Sequence, residues 1–104
     1  MKANKVVFLN EELEKLFNSL DDKNSIKKGL KKAIREIQED VFCGRNVKKD
    51  LIPKRYSELN NIWIYNLPSA WRLIYTVSPS KVEILAVVLD WMSHKDYENL
   101  FSFS

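Results

Sequence analysis

A chain of 104 residues, 45% apolar and 30% charged, suffices for one compact domain that buries roughly two-thirds of its unfolded surface and leaves no room for a second. Three prolines and two glycines give no linker. No repeat recurs at solenoid periods, and no window approaches the roughly twenty apolar residues that span a bilayer. The formal net charge of +3 hides an asymmetry, because residues 23–55 hold eleven Lys and Arg against four Asp and Glu, so the remainder sums to −4. A positive middle suits a polyanion or an acidic protein partner, or else is a solvated helix face. The apolar run in "MKANKVVFLNEELEK" is too short for a signal peptide, so the expected compartment is the cytoplasm, with no membrane partner. The single cysteine, Cys43, cannot close an intramolecular disulfide and offers no paired-thiol metal pattern, so it reads as a structural thiol.

The first element is a strand over residues 5–9 (KVVFL), a β-branched and aromatic run. Asn10 caps a helix with Glu11 and Glu12 in its first turn, and Leu13, Leu16, Phe17 and Leu20 give it an apolar face. That helix breaks at "DDKN". A second begins near Asn24 or Ser25, with Ile26, Leu30, Ala33, Ile34, Ile37 and Val41 as an inward stripe and Lys27, Lys28, Lys31, Lys32 and Arg35 as an outward basic ridge. Gly44 is expected as a left-handed residue at its end.

After the loop "RNVKKDLIPKRYSELNN", residues 62–67 (IWIYNL), 71–77 (WRLIYTV) and 82–89 (VEILAVVL) read as strands separated by the turn signals "PSA" and "SPSK". Such short connections make an antiparallel meander. In its middle strand Trp71, Leu73, Tyr75 and Val77 share one face, and Arg72, Ile74 and Thr76 the other. The last strand is apolar enough to be buried on both faces. The expected architecture is α+β over residues 1–104: an N-terminal strand, a helical hairpin and a three-stranded meander in one small sheet, with the helices on one face.

Two features carry chemistry. Arg72 lies in a half-buried strand, so its guanidinium must reach solvent, a carboxylate or a ligand anion. The only histidine, His94, lies just beyond the last strand with Lys95, Asp96 and Tyr97. Trp63, Tyr65 and Trp71 suit either base stacking or, as is commoner for aromatics on strands, core packing.

The order of elements, with "LPSAWRLIYTV", the apolar strand after it and "HKDYENLF", resembles the RelE/ParE superfamily of small toxins from type II toxin–antitoxin pairs. The resemblance implies a ribosome-dependent endoribonuclease that cleaves mRNA in the decoding site and is neutralised by a cognate antitoxin. It implies metal-free chemistry without a cofactor: the ribose 2′-hydroxyl attacks the adjacent phosphate, leaving a 2′,3′-cyclic phosphate and a 5′-hydroxyl. By the same resemblance Arg72 is the clamp on the phosphorane, and His94 and Tyr97 are acid, base or base-stacking groups. Lys48, Lys49, Lys54, Arg55 and Lys95 are the candidate RNA-binding cations. The antitoxin is expected to be acidic where it meets Lys27, Lys31 or Lys48. The sequence departs from active relatives, since the strand before the arginine offers Trp63 and Tyr65 where they often carry lysines. A glutamate base of some relatives falls near Pro53, with Glu58 close by. A ParE-type toxin that binds a protein such as gyrase without cutting RNA, and a basic nucleic-acid adaptor, are the alternative readings.

Overall fold

The computed structural model of the chain describes residues 1–79 and 83–102. Its elements are β1 (Lys5–Phe8), α1 (Glu11–Ser19), α2 (Ser25–Glu39), β2 (Arg45–Asn46), β3 (Trp63–Asn66), β4 (Arg72–Pro79), β5 (Ile84–Met92) and α3 (His94–Leu100). Short 3-10 turns lie at Lys49–Leu51, Lys54–Tyr56 and Pro68–Ala70. The strands form a five-stranded mixed sheet in the order β1-β5-β4-β3-β2, with β1 parallel to β5 and the other neighbours antiparallel.

The α+β class and the β3-β4-β5 meander agree with the sequence reading, but the sheet is larger than a three-stranded meander and the order of elements differs. β1 docks in parallel along β5. The two residues of β2, inside what reads as loop, extend the other edge, and a two-residue strand has no periodicity to betray it. A third helix, α3, lies beyond β5, where the sequence reading assigned no element. The start of β5 at Ile84 lies after Ser80, Lys81 and Val82, so part of the expected "SPSK" turn falls outside the described residues.

Asn10 accepts from the Leu13 amide at 2.9 Å, so the expected cap forms, and at the expected start of the second helix Asn24 also acts as a cap, accepting from the amides of Ile26 at 2.8 Å and Lys27 at 3.2 Å; both satisfy orphan donors of the first turn. α2 ends at Glu39, and Val41, expected as the last position of its stripe, is buried beyond it. Leu16 is 51% exposed rather than buried. Lys27 departs from the expected ridge. The chain between the helices folds back over it, so it is 8% exposed, its ammonium donates to the Leu20 carbonyl at 2.9 Å and pairs with Asp22 at 3.0 Å.

Gly44 is not left-handed, as none of the glycines has positive φ. Its role is close approach: a Cβ there would lie 2.8 Å from both the Ile64 carbonyl oxygen and the Tyr75 hydroxyl. Gly29, inside α2, has the same reason, since a Cβ would sit 2.5 Å from Cδ of Pro68 in the β3-β4 turn.

The sheet is buried on both faces. Leu73, Tyr75, Val77, Ala86, Val88 and Trp91 pack with Leu30, Ala33 and Ile37 of α2. On the opposite face Ile64, Ile74, Leu89 and Met92 pack with Val47, Tyr56 and Ile62 of the long loop and Phe101 after α3. The helical hairpin therefore covers one face, while loop and α3 cover the other. A β-bulge makes this possible: Ile74 faces Asp90 while Tyr75 faces Val88, leaving Leu89 as an extra residue. It reverses the alternation, which sends Trp91 to the hairpin face and Met92, opposite Arg72, to the face of α3.

Candidate functional site

Ser93 begins α3 by accepting from the Asp96 amide at 3.3 Å. Tyr97, Leu100 and Phe101 then recur at helical spacing and pack on the Ile64–Ile74–Met92 cluster. The Tyr97 and Phe101 ring centroids are 4.8 Å apart. This seats Tyr97 half-buried over the face that also carries Arg72, and leaves His94 exposed at the first turn.

Arg72, His94 and Tyr97 come together. Arg72 Nη2 lies 3.4 Å from His94 Nδ1, its Cζ is 5.6 Å from the centroid of the Tyr97 ring, and Nη1 donates to the Trp71 carbonyl at 3.1 Å. His94 Nε2 contacts the Glu98 carboxylate at 2.6 Å. A carboxylate accepts and a guanidinium only donates, so these partners select the tautomer with the proton on Nε2 and the lone pair on Nδ1.

Two members of the cluster escape sequence reasoning. Arg45 of β2 donates from Nη2 to the Tyr97 hydroxyl oxygen at 2.7 Å. Its strand register explains the reach, because Arg45 faces Ile64 and so stands on the α3 side of the sheet. Glu98 is the other, at i+4 from His94, a spacing that would have marked it had α3 been recognised. Among the described residues no carboxylate lies within ion-pair distance of Arg45 or Arg72. Two guanidinium groups therefore converge with no carboxylate paired to either, the nearest member of opposite charge, Glu98, being held on His94, and such an arrangement suits an anion.

The aromatics of β3 point elsewhere. Trp63 packs on Phe42 with centroids 5.1 Å apart and on Tyr75 at 6.3 Å, and the Tyr65 hydroxyl donates to Glu36 of α2; both belong to the hairpin face. On β3 the residue opposite Arg72 is Asn66, which is exposed.

Lys48, Lys49, Lys54, Arg55 and Lys95 are all exposed. The first four ride the loop that covers the site face, and Lys95 follows His94. Among the described residues no side-chain hydrogen bond or ion pair joins these five to Arg72, His94 or Tyr97. Arg55 instead lines a groove with Asp90, Asp96 and Leu100. Burial holds the Asp90 carboxyl above its ordinary value, partly opposed by its bond from the Trp91 amide and by Arg55. Glu58 lies across that loop in a neighbouring groove with Arg55 and Leu59. Cys43 is exposed, and partial desolvation pushes its thiol up. The described residues contain no group of three or more His, Cys, Asp or Glu placed to hold a metal ion, and no helix long and apolar enough to cross a membrane.

No family model matches the sequence, and no curated protein matches it. Among solved structures, a double arginine-to-alanine mutant of the Escherichia coli toxin RelE in the free state is similar, with a TM-score of 0.57 at 18% identity over 92% of this chain and 88% of that one. The chain therefore has a RelE-like fold.

Proposed function

We propose that this protein is the toxin of a type II toxin–antitoxin pair and a ribosome-dependent endoribonuclease that stops translation by cutting mRNA in the decoding site. The observation that carries the reading is the convergence of Arg72, Arg45, His94 and Tyr97 on one exposed patch of the sheet. Cleavage by the 2′-hydroxyl needs cations for the phosphorane and two groups that move protons, and the patch offers all of them within one side chain's reach. Arg72 is the phosphorane clamp, a planar guanidinium fork held on a strand. His94 and Tyr97 are the proton-transfer groups. Lys48, Lys49, Lys54, Arg55 and Lys95 supply the surrounding positive field that draws an RNA backbone toward the site. An acidic antitoxin segment that folds on binding completes the pair, meeting exposed lysines such as Lys31 and Lys48; the buried Lys27 drops out of that role.

One observation favours a second reading. Trp63 and Tyr65 both turn toward the hairpin face, so β3 brings no cation to the patch, as suits a non-cleaving toxin that binds a protein target. Inducible expression followed by mapping of RNA 5′ ends on translating ribosomes separates the two. In-frame cuts bearing 5′-hydroxyl ends are expected. Growth arrest without cuts selects the protein-binding reading and discards the nuclease.

A further inference from the structure

We infer that Arg45 is a positioning residue of this site, one that holds Tyr97 as the proton donor to the leaving 5′ oxygen. The inference rests on the RNA-cleaving reading above and assigns the division of labour within it.

A guanidinium has five donors and no acceptor, so in the 2.7 Å contact between Arg45 Nη2 and the Tyr97 hydroxyl the phenol oxygen is the acceptor. The phenol hydrogen must then point away from Arg45. Among the described residues it has no acceptor, so it is directed out of the protein. The ring is held too. It rests on Phe101 at 4.8 Å and under the Arg72 guanidinium at 5.6 Å, so Arg45 sets the direction of a donor whose position is already defined.

Arg45 is itself fixed. It pairs with Ile64 across the sheet edge, and Gly44 before it donates its amide to the Tyr75 hydroxyl at 3.0 Å in a space with no room for a Cβ. A long flexible side chain on a pinned backbone reaching a half-buried phenol 52 residues away is the geometry expected of a preorganised contact.

The chemistry then balances. The 2′-hydroxyl gives its proton to the lone pair on His94 Nδ1, which opens as Arg72 turns to the phosphate, and the 2′ oxygen bonds to phosphorus. The phosphorus–5′-oxygen bond breaks with its electron pair on the 5′ oxygen, which takes the Tyr97 proton. Cyclic phosphate and 5′-hydroxyl leave, and the proton on His94 returns through water to the Tyr97 phenolate. The negative charge that develops on the phenol oxygen lies 2.7 Å from Arg45 Nη2, where a placed cation stabilises it most.

The test is single-turnover cleavage of programmed ribosomes by wild-type protein, Arg45→Met, Tyr97→Phe and the double variant. Each is given mRNA with either oxygen or sulfur at the 5′ position of the scissile link. A thiolate leaves without a proton. With oxygen, Arg45→Met should be slower by about 10-fold to 100-fold and the double variant no slower than Tyr97→Phe, as expected of general-acid catalysis acting through one group. With sulfur, all four should cut within about threefold of one another, because a leaving group that needs no proton bypasses the acid. Arg45→Lys, which keeps one donor and the local packing, should recover most of the loss on the oxygen substrate. An Arg45→Met rate equal to wild type on oxygen, or an equal slowing on both links, overturns the assignment. Should Arg45→Met fail to fold, Arg45→Gln, which removes the charge but keeps a polar side chain, takes its place beside Tyr97→Phe on the two links, with the same outcomes deciding the matter. Wild-type protein that cuts neither substrate overturns the nuclease reading itself and this assignment with it.

Discussion

Arg72 shows how a single charged side chain in an apolar strand can announce a site. Its stem lies among buried sheet residues while, among the described residues, its head group meets a backbone carbonyl, a histidine and an aromatic ring. The proposed role as a phosphorane clamp is electrostatic, and on that reading Arg72→Ala should slow cleavage by about 10² to 10³, the loss typical for one donor to a developing charge. Arg72→Lys should recover little, since a point charge does not reproduce a planar fork. Single-turnover rates on programmed ribosomes, with thermal melting to show that the variant is folded, check both. A folded Arg72→Ala protein that cuts at the wild-type rate would remove Arg72 from the site. His94 and Tyr97 stood out for a related reason, as titratable groups collected just after an apolar strand, although Tyr97 also packs on Phe101. Arg45 was not. Its significance depends on a strand pairing that no local pattern encodes.

At the scale of elements, the turn between β3 and β4 sets the start of the strand that bears Arg72. Ser69 and Ala70 have φ of 58° and 62°, a left-handed pair that costs L-residues about 1–2 kcal/mol each. The turn is closed by the Trp71 amide donating to the Pro68 carbonyl at 3.3 Å, and Pro68 is seated against Gly29 of α2. Ala70→Gly removes a Cβ penalty and adds freedom to the unfolded chain, for a net gain of about 0.5 kcal/mol. Urea unfolding of the variant should therefore show a higher midpoint at unchanged slope, and a lower midpoint would show that the turn is not strained. The sequence "PSA" marked a turn here correctly. It could not mark its handedness, because neither serine nor alanine favours positive φ, and the conformation is imposed by packing on α2.

The whole molecule has an acid response governed by carboxyls with opposed environments. Lys27, by hydrogen bond and charge, and then Lys31 hold the Asp22 carboxyl below its ordinary value of 3.8. Its contribution to stability is present above pH 3.8 and is lost as pH falls through the lowered folded value. Asp90 behaves in the reverse sense. Burial raises its carboxyl above 3.8, so the folded state binds this proton more tightly than the unfolded chain, and ionisation of Asp90 opposes folding once pH exceeds the raised value. Asp90→Asn keeps an acceptor for the Trp91 amide, which now bonds Asp90 at 2.8 Å. The variant should be more stable than wild type at neutral pH, with the difference shrinking to nothing below pH 3.8. Denaturation midpoints across that range check the sign, and a destabilised variant at pH 7 would mean that Asp90 is held by a favourable charge partner instead.

What the sequence determined by itself was local or periodic in origin. Asn10 was marked as a cap, and the second helix was placed from Asn24 or Ser25, because a short side-chain acceptor beside an apolar stripe leaves few alternatives. The alternation of Leu73 and Tyr75 against Ile74 and Thr76 assigned the two faces of β4, and the apolar run of β5 required cover on both. The tertiary structure decided what depended on residues distant in the chain. The parallel docking of β1 on β5, the bulge at Leu89 that turns Met92 toward α3, the burial of Lys27 and the pairing of β2 with β3 each join segments with no shared pattern. The candidate site divides along the same line. Arg72, His94 and Tyr97 carry a chemical signature in their own neighbourhoods. Glu98 needs only the helix that sets it at i+4 from His94, whereas Arg45 acquires its signature only when β2 is paired and α3 is laid across the sheet, because a hydrogen bond between residues 52 apart is a property of the fold and not of either segment.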